Sequence, residues 1–423
     1  MNTIIDDERQ RFIPVNLQEI IDDLCQTPGW SEEQRKDFYS LCHVFVALYH
    51  YKFKEQFAEI KRAYHPFNPD CDVITKKEYS TQECQQLRDN LIKHAKALLN
   101  HANYEVLTVD DINLAMNEAS PYGINVSVNL DDYADMLLYY RGSATKVEYH
   151  RSWRSLFLFK QKIEIPIYKR LFLLLNFKTK VQRVRELMQA DPNLTEKKAI
   201  QQLKRFYSKD LEQPDIEKHI FVKLFKNIPR YDLEMLFPNQ KIRFKLLDKL
   251  KLAVTGGGGI IGGSIALLGK MSLIATNPVG FLLAIFGFIG VIVRQIMNVF
   301  NHQTKYMMVL SRNLYFHNLD NNLGVFGHLN DLAEDEECKE AILAYYFLFT
   351  QPDQLWTEAE LDKIIEQYLR EKYNVDVDFE VDDGLRKLTA EQLLISEDGV
   401  LKALDLKSAC QRLDKQWDDF FSF

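Results

Sequence analysis

None of the six cysteines (Cys25, Cys42, Cys71, Cys84, Cys338, Cys410) forms a C-x-x-C pair or stands at a metal-ligand spacing from a histidine. This excludes a zinc or disulfide framework and fits a reducing compartment. His43 and His50, like His94 and His101, are seven residues apart, too far along a helix to share one metal. No nucleophile–base constellation stands out, so the chain is not expected to be an enzyme, and no cofactor, metal or catalytic residue is expected. Gly257 to Ser264 has the spacing of a phosphate-binding loop. Gly263, however, stands where the lysine belongs, and a basic segment precedes it instead of a strand. The opening Met1–Glu8 lacks a basic, apolar or Arg-rich amphipathic leader, so no signal or transit peptide is expected.

What the chain has instead is one long stretch of low polarity. Leu252–Gly269 and Met271–Val293 contain no charged residue and are separated by Lys270. At about 1.5 Å per residue they reach roughly 27 and 35 Å as helices, against a hydrocarbon core of about 30 Å. The expectation is a transmembrane helical hairpin over 241–305, with spans at about 252–274 and 278–298. Asn277 caps the second helix and Pro278 fills its first turn. Seven of the 17 glycines lie in the first run. Gly258, Gly262 and Ala266, and Gly259 and Gly263, form flat ridges, faced by Gly280, Ala284 and Gly287 on the second. These ridges predict close helix packing and a homo-oligomer. Lys241, Arg243, Lys245, Lys249 and Lys251 before the hairpin, and Arg294 after it, put both termini on the cytoplasmic side.

Charge is unevenly spread. Residues 145–251 carry 25 Lys and Arg against 12 Asp and Glu, whereas residues 330–423 carry 10 against 24. The basic block suits an anionic lipid surface, and the acidic end suits a protein partner. Residues 1–120 read as a helical domain, with helices from Ser31 to about Tyr64 and over Thr81–Asn103. Residues 121–240 read as a small basic α+β domain. There Ile124–Leu130 pairs with Ala134–Tyr140, Lys162–Lys178 and Phe221–Ile228 are strands, and Val181–Gln189 and Thr195–Phe206 are helices. Residues 306–423 read as helical and winged-helix-like. Lys305–Leu319 is expected to be helix, and Leu332–Thr350 a helix opened by the acidic run Glu334–Glu337. An acidic winged helix cannot neutralise phosphate, so no nucleic acid is expected.

The stretch Lys223–Pro238, with Lys223, Phe225, Lys226, Pro229, Asp232, Glu234 and Pro238, precedes a basic segment and a Gly-rich apolar run. With Arg11–Pro14, Tyr49–Tyr51, Tyr140–Gly142 and Lys339–Ala341, it resembles the domain-of-unknown-function 3754 family, with which the transmembrane protein 143 family is grouped. The resemblance implies an integral membrane protein with two spans and brings no activity. Lacking a transit peptide, the chain is expected at a bacterial inner membrane. If extended, Asp232 and Glu234 share a face, and ion pairs with Lys223, Lys226 or Arg230 are expected. The resulting expectation is an α+β multidomain membrane protein acting as a membrane-anchored scaffold or regulator. An oligomeric pore and a lipid-directed enzyme are the alternatives.

Overall fold

The computed structural model describes residues 3–6, 9–73, 75–108, 110–112, 124–151, 160–206, 216–238, 241–244, 286, 290, 294, 297, 315–352, 354, 356–397 and 400–420. Strand β1 (Thr3–Asp6) precedes helices α1 (Leu17–Cys25), α2 (Glu32–Tyr64) and α3 (Thr81–His101). Their starts are set by side chains that satisfy orphan N–H groups. Asn16 Oδ1 accepts from Gln18 N–H at 2.9 Å, and Ser31/Gln34 and Ser80/Glu83 form reciprocal capping boxes. His65-Pro66 ends α2 in a 3-10 turn, because proline cannot continue the ladder.

Strands β2 (Glu105–Val106), β3 (Ile124–Ser127), β4 (Tyr133–Arg151) and β5 (Lys160–Phe177) follow. Helices α4 (Lys180–Ala190) and α5 (Glu196–Phe206) lead into β6 (Ile220–Pro229), β7 (Lys241–Phe244) and β8 (Asn318–Asn321). The main sheet is antiparallel in the order β1-β4-β5-β6-β8, with β2 also on β4. Its central strand is buried on both faces. Phe172 and Leu174 enter the helical core, while Leu171, Leu173 and Leu175 enter a second core with Phe225, Leu233 and Phe237. Period-two alternation between two buried faces is why Leu171–Leu175 reads as one apolar run.

The chain ends with α6 (Leu323–Thr350), α7 (Glu358–Tyr373), α8 (Val381–Ala390), the hairpin β9 (Leu394–Glu397) and β10 (Val400–Ala403), and α9 (Leu406–Asp419). From Glu336 to Tyr345 every residue of helix α6 is buried, and the helix packs against α1, α2 and α3 from one end of the chain and α7 and α8 from the other. One hydrophobic core therefore runs from Ile13 through Phe38 and Leu343 to Leu413.

Several expectations are corrected. Among the described residues no helix is long and apolar enough to cross a membrane, so the membrane-protein fold class and its transmembrane hairpin are not what the structure presents. The described architecture is mixed α/β. Its most apolar long helix, α6, is interrupted by charged residues and wrapped in protein, so length and apolar content alone do not specify lipid contact. The positions Gly258, Gly259, Gly262, Gly263, Ala266, Asn277, Pro278, Gly280, Ala284 and Gly287 lie outside the described residues, as do Lys245, Lys249 and Lys251. Arg294 is helical and exposed. Lys241 and Arg243 lie on β7, which pairs with β3 through Ile124↔Phe244 and Ser127↔Lys241. Strand β3 thus takes a distant partner and not the adjacent Ala134–Tyr140, which belongs to β4. Asn318–Asn321 is strand, not the end of a helix, because its backbone completes the ladder on β6.

Candidate functional site: a buried charge cluster

Helix α6 begins at Leu323, so the acidic run Glu334–Glu337 sits well inside it and not at its N-terminus. Glu336, Glu337, Lys339 and Glu340 are all 5% exposed or less. Burying four charged residues within five positions is costly unless each finds a partner, and the surrounding segments supply most of those partners.

Glu336 Oε2 accepts from the Ile13 N–H at 2.9 Å, and its Oε1 lies 3.0 Å from the Arg141 guanidinium and 3.2 Å from Lys339 Nζ. Lys339 Nζ also donates to the Ile13 carbonyl at 3.0 Å. Arg141 in turn lies 4.2 Å above the Phe12 ring, a cation–π contact. Its neighbour Gly142 has φ +74°, a conformation that favours glycine, and a Cβ there would meet the Gln10 side chain of the strap formed by residues 10–14.

The second half of the cluster centres on Lys387 of α8. Its ammonium is 3.0 Å from Glu337 Oε2 and bonds Glu340 Oε2. His101 Nδ1 lies 2.7 Å from Glu337 Oε1. Asn103 donates to Glu340 Oε1 at 3.1 Å and to the Arg11 carbonyl at 2.8 Å. Gly384 lets α8 reach α6, since a Cβ there would stand 2.9 Å from the Glu340 carbonyl oxygen. Burial pushes the Glu340 carboxyl up to about 7 against the pull of Lys387. The Glu337 carboxyl is also buried, yet His101 and Lys387 hold it below its ordinary value. Lys387 is held above its ordinary value by Glu340 and Glu337, which outweigh its own burial. A fourth buried carboxylate, Glu391, takes Lys52 Nζ at 2.5 Å and the Tyr49 O–H at 3.3 Å.

Glu337, Glu340 and Asp383 each offer one oxygen within 4.8 Å of the others, a possible three-carboxylate cation site. The Lys387 ammonium already bonds two of the three, so the fixed positive charge there is a side chain.

Of the sequence-selected residues, Lys223 donates to Asn321 Oδ1 at 2.7 Å, and burial lowers its pKa. The Lys226 carbonyl faces His317 Nδ1 at 2.6 Å, Phe225 is in the second core, Pro229 ends β6 and Pro238 is exposed. Asp232 and Glu234 lie in a 3-10 helix, Arg230–Leu236, so they are not on an extended face. The Asp232 Oδ1 has no hydrogen-bond partner among the described residues, and burial pushes its carboxyl up to about 7. The expected ion pair is absent there among the described residues; the Glu234 side chain lies outside them.

None of these residues reaches the charge cluster, whose members Glu336, Glu337, His101, Asn103 and Lys387 carry no motif. The available signal was four charges in five residues of an otherwise apolar helix. Three short pieces singled out for their family resemblance do meet there: Arg11–Pro14, Tyr140–Gly142 and Lys339–Ala341.

No solved structure matches the chain. A family model described as "Protein of unknown function (DUF3754)" matches residues 133–324. The matched segment opens with β4 and closes as α6 begins, so it holds Tyr140–Gly142 and Lys223–Pro238 but not Arg11–Pro14 or Lys339–Ala341. The finer likeness to the transmembrane protein 143 family is not confirmed by the match. Residues 133–324, which hold β4 to β8 and the two basic helices between them, match the domain-of-unknown-function family DUF3754.

Proposed function

We propose that this protein acts by binding, as a non-enzymatic scaffold or regulator working at an anionic lipid surface. The observation that supports this reading is the self-sufficiency of the charge cluster. Glu336, Glu337 and Glu340 are matched by Arg141, Lys339 and Lys387, and all six are buried. A site for acid–base or metal chemistry needs a carboxylate or histidine open to a substrate-sized cleft. Here those groups join five chain segments into one body. The apolar cavity lined by Phe38, Phe45, Ile342 and Leu388 is no larger than a water molecule.

The opposed charges of residues 145–251 and 330–423 favour two binding faces, one for anionic lipid and one for a protein partner. Self-association belongs to the same reading, and native mass measurement tests it: a strict monomer removes it. The lipid half is tested by flotation of the full-length protein with phosphatidylcholine vesicles, with and without phosphatidylserine. Binding is expected to require phosphatidylserine and to weaken as salt is raised. Binding that ignores vesicle charge overturns it.

A further inference from the structure

A buried ion pair ties α4 to the 3-10 turn Leu130–Asp132 that leads into β4. Arg183 Nε donates to Asp132 Oδ1 at 3.1 Å, and its Nη1 lies 2.7 Å from Glu186 Oε2. Ala199 and Leu203 are the buried positions among the described side chains of α5. With the inward sides fixed, helical spacing decides what faces out. Val181, Arg185 and Met188 are four and three residues apart and share one face. Val181 is 67% and Met188 39% exposed. On α5, Lys197 and Ile200 share a face, with Ile200 40% exposed. Lys180, Arg185, Lys197 and Lys198 are exposed and form no ion pair with any described residue. Residues 178–206 carry eight Lys and Arg against three Asp and Glu.

We propose that the outward face of α4–α5 is the surface that docks on anionic phospholipid, a proposal that rests on the lipid reading above. Lys180, Arg185, Lys197 and Lys198 meet headgroup phosphates, and Val181, Met188 and Ile200 enter the boundary between headgroups and acyl chains. That layer is a partner that takes cations and apolar side chains from the same face, about 5–10 Å deep. A nucleic acid would satisfy the cations alone, and the described face holds no aromatic side chain for bases to stack on.

Two variants of the full chain test this: V181S/M188S/I200S, and K180E/R185E/K197E/K198E. All seven positions are exposed, so thermal unfolding is expected to be unchanged. Each variant is expected to lower partitioning onto phosphatidylserine-containing vesicles by about tenfold or more. The charge variant should also lose most of the salt dependence. If both variants bind such vesicles as the parent does, while binding still requires phosphatidylserine, the helix pair is not the surface and the lipid reading stands. If the parent protein ignores phosphatidylserine, the lipid reading fails with it. A variant that changes the protein's mass in vesicle-free solution identifies the face as a contact between copies and overturns the lipid assignment.

Discussion

At the scale of single residues the structure depends on charges that cannot be removed one at a time. Lys387→Met leaves Glu337 and Glu340 buried with a cation missing. Urea unfolding is expected to show a loss of about 3–5 kcal/mol, with part regained in K387M/E340Q, where one carboxylate is neutralised as well. Asp232 acts in the opposite sense. Its folded-state pKa of about 7 lies above its ordinary 3.8, so the native state binds this proton more tightly than the unfolded chain. Its contribution is favourable below about 3.8 and is lost as pH rises towards 7. Asp232→Asn should therefore be more stable than the parent at pH 8, by about 1–3 kcal/mol, and should equal it in acid. Equal stability at both ends of the range would show that the carboxyl is solvated.

At the scale of elements, what was legible in the sequence was local. Ser31 announces a helix start because a hydroxyl three residues ahead of Gln34 satisfies orphan N–H groups within one turn, and the structure repeats the same box at Ser80 and Thr357. The β5 and β6 strands were legible from their apolar runs. Two things were not legible. The β3–β7 pairing joins residues 124–127 to 241–244, and nothing in either segment names the other. The acidic run of α6 looked like a helix start because charge near an N-terminus is favourable. In the structure the helix begins earlier, where Asn322, at φ 50°, bonds the β6 backbone through its N–H and its Oδ1. The β4 strand gives a direct check on the strap that crosses it. Gly142→Ala forces a left-handed φ on alanine and drives Cβ into Gln10 Oε1, so a loss of about 1–3 kcal/mol is expected in thermal or urea unfolding. An unchanged midpoint would mean that the strap yields without cost.

At the scale of the whole molecule, the two ends of the chain form one body. The Asp378 N–H donates to the Gln10 carbonyl at 2.9 Å, Arg11 Nη1 lies 3.8 Å from Glu380, and Trp30 packs against Tyr346 and Phe349. Unfolding followed at Trp30 and at Trp417, each kept as a lone tryptophan, is expected to give coincident transitions. Separate midpoints would mean that the two ends melt independently. Sequence reading placed helices at both ends and could not join them, because hydrophobic periodicity reports which face is buried and not what buries it.

The Ile13–Glu336 bond spans 323 positions of chain. Synthesis delivers the amide early and its carboxylate only after most of the polypeptide has left the ribosome. Until then Phe38, Leu41 and Phe45 of α2 have no α6 to shelter them, and long-range closure of this kind is slow. Nascent chains halted before residue 323 are therefore expected to depend on a holding chaperone, and releasing the halt should end that dependence within one round of translation.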